Sequence, residues 1–468
     1  MMDGLECSEV NISELEFSGR IDAEYYRKSI LKYENMVLLS NYKNLCETAS
    51  FLIGPFGSAY DTRKYTTLSN YRYVRGQDVK PFILKDDEPR FIARRDFERL
   101  SKYSLKEQDI MVSVVGTLGN ACLVRSKDLP AIFSCKSTVI RTKELNPYYL
   151  IAYLNSKYGS QLLLRKERGA IQKGLNLDDL KSLIVPVYSD SFQSEVQKRI
   201  CNAYNMLDNS KLVYSQAEQI FLDEVGVTDF TPSAEKTSVK NFADSFGACG
   251  RLDAEYYQAK YDTLFTKLSM VKTYRLGDLV WIKKSVEPGS NEYRSVGIPF
   301  VRISDLSKYG LSDPEIHLNR IPFAHMNLQP KKDTILLSKD GSVGIAYKVE
   351  KDLDIVTSGA ILHLELKNDQ FMPDYLTLVL NSKIIKMQAE RDAGGSIIQH
   401  WKPSEIENVI IPWLPIDKQE QISSKIQESF FLRKESKELL ERATQSVEMA
   451  IEKDEQTALD WLASQKST

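Results

Sequence analysis

The octapeptide Gly19-Arg20-Ile21-Asp22-Ala23-Glu24-Tyr25-Tyr26 returns later in the chain as Gly250-Arg251-Leu252-Asp253-Ala254-Glu255-Tyr256-Tyr257. Seven of the eight residues are identical, at a separation of 231 positions, and chance does not produce such a match. A period this long is typical of duplicated domains, because the units of solenoid proteins are only about 20–50 residues long. The sequence therefore predicts a chain built from two copies of one architecture.

Three shorter matches follow in the same order in both halves. They are Gly116-Thr117-Leu118-Gly119 with Gly341-Ser342-Val343-Gly344, Leu154-Asn155-Ser156 with Leu380-Asn381-Ser382, and Ile184-Val185-Pro186 with Ile410-Ile411-Pro412. The separations stay between 225 and 231, so we expect the halves to differ only by small loop insertions.

Each half also has the same predicted elements. A helix follows the octapeptide, and then come short strands with Gly and Pro turns, a compact helix from about Pro147 or Pro373, and a basic glycine-containing loop. The loops run from Arg165 to Asn176 and from Arg391 to Trp401, and an apolar strand then leads into Pro186 or Pro412. This order predicts an α+β fold of two tandem repeats, each a mixed α/β domain followed by a long helix.

The long helical patterns cover about residues 190–225 and 416–465, with Ser189 and Asp190 supplying N-cap chemistry for the first. A coiled-coil seam is indicated by alternating spacings of four and three at Val196, Ile200, Ala203, Leu207, Ser210, Tyr214, Ala217 and Phe221. A less regular seam in the second consists of Ile422, Ile426, Leu440, Ala443 and Val447, with Arg433 where the first has Leu207. We expect the helices to pair antiparallel; the alternative is burial in two separate cores.

Charge distinguishes the two halves. The expected segments are an N-terminal helical segment 1–42, a first domain 43–186, a spacer helix and linker 187–271, a second domain 272–412 and a distal helix 413–468. Residues 43–186 contain 24 Lys and Arg against 15 Asp and Glu, whereas 272–412 contain 18 of each, and the whole chain has a net charge of −2. A basic block of this kind indicates a local nucleic-acid surface, although a solvated lysine-rich face is the alternative.

Cysteine, histidine and hydropathy patterns point away from several classes of protein. The six cysteines are scattered without a CxxC pair, and all four histidines lie in the second half, so we expect reduced thiols, no metal site and no catalytic triad. No apolar run approaches the ~18 residues of a membrane span, and no signal-peptide pattern is present. We therefore expect a cytoplasmic protein without membrane contact.

Several motifs together carry a family resemblance. They are Ile53-Gly54-Pro55-Phe56-Gly57-Ser58; Asp109-Ile110 leading to Ser113 and Gly116-Thr117-Leu118-Gly119-Asn120; Asp333, Ser338 and Gly341-Ser342-Val343-Gly344-Ile345; Gly169-Ala170-Ile171-Gln172; Gly395-Ser396-Ile397-Ile398-Gln399; and Gln193 and Gln419 after the prolines. With them the chain resembles, over essentially its whole length, the specificity (S) subunits of type I restriction-modification enzymes. The second half departs from the pattern, with Val286-Glu287-Pro288-Gly289-Ser290 in place of the first motif.

The resemblance implies a sequence-specific DNA-binding protein. Each target recognition domain would read one half of a bipartite, asymmetric site in double-stranded DNA, and the helices would fix the gap between the halves. It also implies a non-catalytic chain that scaffolds two copies of an adenine-specific DNA methyltransferase subunit, with restriction or translocase subunits as further partners in phage defence. S-adenosylmethionine and ATP would bind to those partners, so no cofactor is expected on this chain.

Lys and Arg contact phosphates, and Arg, Lys, Asn, Gln and Ser also reach base edges. The DNA-binding candidates in the first domain are Arg63, Lys64, Arg90, Arg94, Arg95, Lys136, Arg165, Lys166, Arg168, Gln172 and Lys173. In the second they are Arg294, Arg302, Lys339, Arg391, Gln399, His400 and Lys402. For each, the alternative is a solvated side chain. Trp401 is either a stacking group or a buried aromatic, and Tyr25, Tyr26, Tyr256 and Tyr257 are packing positions or methyltransferase contacts.

An enzyme is the first of three alternative functions. Asn146-Pro147-Tyr148-Tyr149 is similar to the catalytic Asn-Pro-Pro-Tyr loop of amino-methyltransferases but lacks the second proline, and neither a glycine-rich cofactor loop nor a GxxxxGK[ST] phosphate loop is present. We interpret it as a helix start and expect no catalytic residue. An assembly protein that does not bind DNA, and a recognition module of another methylation-based phage-defence system, remain alternatives. Steep salt dependence of DNA binding would count against the first of these two.

Overall fold

A computed structural model describes residues 8–13, 15, 19–169, 173–235, 237–243, 245–323, 326, 328–394 and 399–465. The chain divides into two compact units, residues 1–206 with 434–468, and residues 207–433. Each unit contains one copy of the repeat, and the elements follow in the same order. The predicted duplication of a mixed α/β architecture is therefore confirmed.

The described residues of the first unit form three small sheets. Its described strands are β1 (Tyr42–Asn44), β2 (Ala49–Ile53), β3 (Tyr71–Val74), β4 (Phe91–Ile92), β5 (Ile110–Ser113), β6 (Ala121–Leu123), β7 (Ala131–Phe133), β8 (Ser137–Thr142) and β9 (Ile184–Pro186). An antiparallel sheet has the order β2-β8-β5-β6, and a second has the order β4-β3-β7 with β3 and β7 parallel. Strands β1 and β9 pair antiparallel, so the chain enters and leaves this sheet region side by side.

Its helices are α1 (Lys28–Leu38), α2 (Leu45–Thr48), α3 (Arg94–Arg99), α4 (Pro147–Asn155), α5 (Lys157–Leu164), α6 (Leu177–Lys181) and the first part of α7 (Asp190–Val225). Asn146 caps α4 by accepting a hydrogen bond from the Tyr148 amide at 2.9 Å, as expected for a helix start. The single helix predicted from Pro147 is wrong. Ser156 interrupts it, because its hydroxyl accepts from the Gly159 amide and so caps α5.

The second unit repeats this plan. Its strands are β10 (Thr273–Arg275), β11 (Val280–Lys284), β12 (Tyr293–Arg294), β13 (Ile298–Val301), β14 (Leu306–Ser307), β15 (Gly310–Leu311), β16 (His317–Leu318), β17 (Ile335–Ser338), β18 (Ala346–Lys348), β19 (Val356–Thr357), β20 (Ile361–Leu366) and β21 (Ile410–Pro412). The order β11-β20-β17-β18 matches the four-stranded sheet of the first unit, and β10 pairs with β21 as β1 does with β9. The second sheet differs, with the order β12-β16-β13-β19.

The helices that follow in chain order are α8 (Phe246–Cys249), α9 (Ala259–Leu268), α10 (Leu276–Leu279), α11 (Arg320–Phe323), α12 (Pro373–Asn381), α13 (Lys383–Asp392), α14 (Pro403–Ile406), α15 (Ile416–Glu452) and α16 (Glu455–Ser464). Helices α12 and α13 are again separated at a serine, Ser382. Helices α1 and α9 begin only at Lys28 and Ala259, so Tyr25 and Tyr256 lie in the turn before each helix and not on its face.

Helices α7 and α15 pair antiparallel within each unit. In the first unit the Ser436 hydroxyl donates to the Ala203 carbonyl at 2.7 Å, and in the second the Ser429 hydroxyl donates to the Ser210 carbonyl at 2.6 Å. Residue numbers therefore rise along one helix while they fall along the other. All eight predicted seam residues of α7 are buried, which confirms the predicted seam.

The second long helix differs from its predicted extent. It ends at Glu452, because Asp454 accepts a hydrogen bond from the Thr457 amide at 2.8 Å and starts α16. Leu440 is only partly buried and Leu439 takes the buried position beside it. Arg433 is tolerated at a seam position because its guanidinium lies 3.6 Å from the centre of the Tyr309 ring.

Candidate nucleic-acid interface

The repeated octapeptide forms the same turn in both units. In the first, Arg20 donates to the Asp22 carboxylate at 2.5 Å and to the Glu167 carbonyl at 3.1 Å, and the Tyr26 hydroxyl donates back to the Arg20 carbonyl. The guanidinium also lies 4.9 Å from the centre of the Tyr25 ring. The turn is thus fastened to the segment that follows α5.

The second octapeptide makes the corresponding contacts one by one. Arg251 donates to Asp253 at 2.6 Å and to the Asp392 carbonyl at 2.8 Å, and the Tyr257 hydroxyl donates to the Arg251 carbonyl at 3.0 Å. The arginine hydrogen bond lowers the pKa of Asp253, and Arg20 lowers the pKa of Asp22 in the same way. Both turns therefore hold an ionised carboxylate at neutral pH.

Just beyond this anchor lie the exit loops, residues 168–174 and 394–400. The ends of each loop pair as a short antiparallel ladder, with the amides of Gly174 and His400 donating to the carbonyls of Arg168 and Gly394 at 2.8 and 2.7 Å. The middle of each loop, which includes the candidate Gln172, is outside the described residues.

The glycine turns, residues 116–119 and 341–344, are fixed by the strands before them. The Ser338 hydroxyl donates to the Ser342 carbonyl at 2.6 Å, and the Ser113 hydroxyl donates to the Thr117 carbonyl. Gly116 and Gly119 have φ of 90° and 77°, a region that a side chain disfavours. This requirement explains why both halves keep glycine at these positions.

Backbone hydrogen bonds join each glycine turn to its exit loop. In the first unit the contact is made beside the two segments, where the Leu175 amide donates to the Val114 carbonyl at 3.0 Å and Val115 forms a bridge with Gly174. In the second, the Gly341 amide donates to the Gln399 carbonyl at 2.9 Å and the Trp401 amide to the Lys339 carbonyl at 2.8 Å. Each unit therefore presents one continuous loop surface made of these two segments.

Three candidates of the first unit lie on this loop surface. Lys173 and Lys136 are exposed, and the Lys136 carbonyl accepts from the Val114 amide at 2.9 Å, beside the exit loop. Arg168 is half exposed and forms an ion pair with the buried carboxylate of Asp179 at 3.0 Å, while Lys173 pairs with Glu167. These side chains can bind phosphates without unfolding the loop.

Arg165 and Lys166 are instead occupied inside the protein. The buried Arg165 forms an ion pair with Glu34 at 2.6 Å, and its guanidinium lies 4.0 Å from the centre of the Tyr25 ring. Lys166 donates to the Ser182 hydroxyl at 2.9 Å, and burial lowers its pKa. Their placement favours a role in holding the exit loop on the octapeptide turn and α6.

The other candidates of the first unit form a second group on the β4 side of the domain. These are Arg63, Lys64, Arg90, Arg94 and Arg95, all exposed except the partly exposed Arg90. Arg63 pairs with Asp61 at 2.9 Å and Arg94 with Glu98 at 2.7 Å, in pairs typical of a solvated surface. The structure therefore splits the predicted cations into two groups.

Four candidates of the second unit lie on its loop surface: Lys339, Gln399, His400 and Lys402. His400 and Lys339 both contact the Asp340 carboxylate, His400 at 2.8 Å through Nδ1. Gln399 and Lys402 are exposed, and the Lys402 amide donates to Glu405 at 2.9 Å. An acidic group at the centre makes this surface less basic than its counterpart.

The remaining candidates of the second unit, Arg294, Arg302 and Arg391, do not lie on this loop surface. Arg391 pairs with Asp392 at 2.7 Å and lies 4.3 Å from the centre of the Phe265 ring. Arg294 is exposed and donates to carbonyls of its own turn, and the backbone amide of Arg302 donates to Asp305 at 2.9 Å. Arg391 thus corresponds in position and environment to Arg165.

Trp401 is buried, which confirms its interpretation as a core aromatic over a stacking group. Sequence reasoning missed Phe56, whose side chain is 87% exposed at the tip of the loop after β2. Arg99, the end of the stretch Arg90 to Arg99 that the sequence offers as a second DNA surface, donates to the Ala59 carbonyl at 2.9 Å near that loop. The Gly-Pro-Phe-Gly motif could have predicted the exposure of Phe56, because an aromatic side chain flanked by turn-forming residues is usually placed away from the hydrophobic core.

The second half of the chain is similar to a known protein family. A model of the family "Type I restriction modification DNA specificity domain" matches residues 269–442. Residues 269–442 of this chain are therefore similar to that specificity domain. The match runs from just before β10 through the second repeat and along the α15 helix as far as Arg442, and it confirms the resemblance to specificity subunits. The first repeat has the same elements in the same order and lies outside the matched residues.

Solved structures with weak likeness include specificity subunits. One is the S subunit of a type I restriction-modification system from M. genitalium, at 14% identity and a TM-score of 0.36, covering 90% of this chain and 96% of that one. Another is the HsdS subunit from Thermoanaerobacter tengcongensis, at 15% identity and a TM-score of 0.27, covering 90% and 96%. No curated protein sequence matches the chain. The similarity to specificity subunits is therefore carried by the family match, because TM-scores this low support no argument.

The described part of the chain lacks two further features. No group of three or more His, Cys, Asp or Glu side chains there is placed to hold a metal ion. No described helix is long and apolar enough to cross a membrane.

Proposed function

We propose that this chain reads a bipartite, asymmetric site in double-stranded DNA, with residues 43–186 and 272–412 as its two recognition domains. One observation carries the proposal: in each unit backbone hydrogen bonds hold the glycine turn beside the exit loop, and the surface there presents cationic side chains. Such a surface suits contact with a nucleic-acid backbone, because exposed Lys and Arg bind phosphates and glycine lets the main chain approach. The paired helices α7 and α15 would set the gap between the half-sites.

The same proposal assigns the chemistry to partners. Two copies of a DNA methyltransferase subunit would dock on the chain, with restriction or translocase subunits added, and S-adenosylmethionine and ATP would bind to those subunits. This chain would recognise the DNA site and assemble the other subunits, and it would contribute no catalytic residue. The complex would act in the cytoplasm.

Salt dependence of DNA binding by the full-length chain tests the proposal. Each phosphate contact releases counterions, so the affinity of the wild-type chain for duplex DNA should fall steeply as salt rises. The double variant Lys136→Ala, Lys173→Ala should bind more weakly to every sequence, with a salt slope smaller by about one per lost contact.

A matched control is Lys106→Ala, Lys198→Ala. These lysines are exposed in the same unit, Lys106 precedes β5 at the end away from Val114, and Lys198 has an acidic partner, Glu195, as Lys173 has Glu167. The control should keep the wild-type slope. A shallow slope for the wild-type chain would contradict the proposal and favour an assembly protein that does not bind DNA.

A further inference from the structure

The bridge between the glycine turn and the exit loop carries different side chains in the two repeats. In the first repeat it joins Val115 to Gly174, and in the second it joins Asp340 to His400. The positions correspond, because their separations of 225 and 226 residues lie within the range of the other matches. The backbone contact is therefore the same, but an aliphatic side chain and a glycine stand where the second repeat has a carboxylate and an imidazole.

The imidazole of His400 is exposed on an anchored backbone. Its side chain is 63% exposed, and Nδ1 lies 2.8 Å from the Asp340 carboxylate. The His400 amide donates to the Gly394 carbonyl at 2.7 Å, and its carbonyl accepts from the Gly394 amide at 3.1 Å. The next residue, Trp401, is buried in the core. The ring therefore reaches solvent in a fixed position, and little ordering is required when it meets a ligand.

Asp340 decides which nitrogen of the ring carries the proton. An ionised carboxylate only accepts hydrogen bonds, so Nδ1 is the donor, and in the neutral ring the lone pair lies on Nε2. The carboxylate also contacts the ammonium group of Lys339, which balances its charge without a proton on the ring. Within the described part of the chain, the hydrogen bond of the ring is the one through Nδ1. His400 thus offers an acceptor, Nε2, to solvent.

An acceptor at this place is selective among the groups of DNA. Phosphate oxygens are acceptors themselves and cannot donate to Nε2, whereas the bases present donors as exocyclic amines. In the major groove these amines are N6 of adenine and N4 of cytosine, while guanine and thymine present acceptors there. That groove is about 12 Å wide and admits a two-stranded ribbon, which is the form that the terminal ladder gives to the exit loop.

We propose that His400 reads the exocyclic amine of one adenine or cytosine through Nε2, and that Asp340 is the positioning residue that fixes its tautomer. The inference rests on the proposed function, because His400 meets a base only if the second repeat binds DNA. It deepens that function by naming the chemical group that is read. The first repeat, with Val115 and Gly174, reads its half-site without this contact.

The test pairs a change in the protein with a change in the DNA. The probe is a duplex with the motif that the assembled system methylates, in which purine replaces one adenine, or 2-pyrimidinone one cytosine, of the second half-site, so that a single exocyclic amine is removed. At one position this removal should weaken binding by the full-length wild-type chain about tenfold. His400→Ala should bind the unmodified duplex about tenfold more weakly and lose nothing further when that amine is removed.

Asp340→Asn tests the positioning role. An amide can donate to Nδ1 or accept from it, so the variant releases the choice of tautomer while keeping the shape of the side chain. In the assembled complex it should relax the methylated motif at the position read by His400 and leave the first half-site unchanged. A merely structural role of Asp340 would weaken binding to all sequences equally and leave the motif as it is, and that result would overturn the assignment.

Two control variants lie in the same unit. Asp354→Asn removes a carboxylate that pairs with the exposed Arg320 at 2.6 Å, and it should change neither affinity nor motif. Lys402→Ala removes an exposed cation two residues from His400, and its effect should simply add to that of each amine removal. Circular dichroism of each variant verifies folding.

The outcomes separate this inference from the proposed function. If the wild-type chain binds DNA with a steep salt slope but His400→Ala adds to the removal of every amine, the inference fails and the proposed function stands. If His400→Ala relaxes the motif at a guanine or thymine, the ring donates and the inference also fails. A shallow salt slope for the wild-type chain would overturn both.

Discussion

The octapeptide turns and the loops after β2 and β11 lie in the same repeats but have diverged to different degrees. The two turns share their hydrogen bonds residue by residue. The loops do not: Phe56 of the first has Glu287 at the corresponding position, 231 residues later. Phe56 projects into solvent, whereas the Glu287 carboxylate lies against the backbone of Gly359, where a Cβ would come within 2.7 Å of it. Contacts that fix the backbone of the turns are retained, whereas the outward side chains of the loops after β2 and β11 differ between the repeats.

The largest effect is expected from breaking the turn itself. Replacing Arg20 or Arg251 by Ala removes the guanidinium donor from a partly exposed carboxylate and from a backbone carbonyl, and the lost charge-assisted hydrogen bonds should destabilise the unit concerned by about 2–4 kcal/mol. Since the two turns have the same contacts, hydrogen exchange should show similar losses, each within its own unit. Arg63→Ala, which removes an exposed pair with Asp61, should cost less than about 1 kcal/mol. A large difference between the two turn variants would show that the repeats use the turn differently.

Sequence patterns predicted the parts of the fold that depend on local periodicity. The seam of α7 follows from spacings of four and three, and its end at Val225 agrees with the predicted range. The breaks at Ser156 and Asp454 were missed, although both are capping residues, because apolar periodicity continues across them. The buried serines Ser429 and Ser436 were also missed, since a polar residue enters a seam only when the facing helix offers a carbonyl.

Whether a basic side chain is buried or accessible is harder to predict from the sequence. Arg165 and Arg168 are three residues apart in one basic loop, yet the first is buried against Glu34 and Tyr25 and the second is half exposed. The difference is made by α1, more than a hundred residues away in sequence, which supplies Glu34. Sequence reasoning therefore found the loop but could not separate its anchoring cations from its accessible ones.

Lowering the pH should reduce the stability of the second unit more than that of the first. Burial lowers the pKa of His363 to about 4, and its Nε2 lies 2.8 Å from the Thr357 hydroxyl. The folded unit keeps this group neutral while the unfolded chain takes up a proton near pH 6.5, so stability is lost as pH falls from about 6.5 to 4. A shift of this size corresponds to about 3 kcal/mol in the second unit. The first unit has no histidine, and β8 has the buried Val139 at the corresponding position.

His363→Gln removes the titration while keeping a hydrogen-bond partner for Thr357. Chemical denaturation of this variant and of wild type at pH 7 and pH 5 should show a smaller loss for the variant, confined to the second unit. Equal losses would mean that carboxylates, and not His363, control the acid sensitivity.

The smallest effect concerns the loop after β2 and tests the comparison most sharply. A Cβ on Gly54 would lie 2.3 Å from the Ser134 carbonyl oxygen, and Pro55 is buried, so the backbone that presents Phe56 is held in place. A fully buried Phe is worth about 1.5–3 kcal/mol, and partial burial against a base edge should give about 1 kcal/mol, or roughly fivefold in affinity. Phe56→Ala should therefore weaken binding about fivefold and relax recognition at one half-site only, as read from the methylated motif of the assembled complex. Leu68→Ala, an exposed apolar residue of the same unit, should change neither. If Phe56→Ala weakened all sequences equally, this loop would hold the DNA backbone, and the divergence between Phe56 and Glu287 would not be a difference in sequence reading.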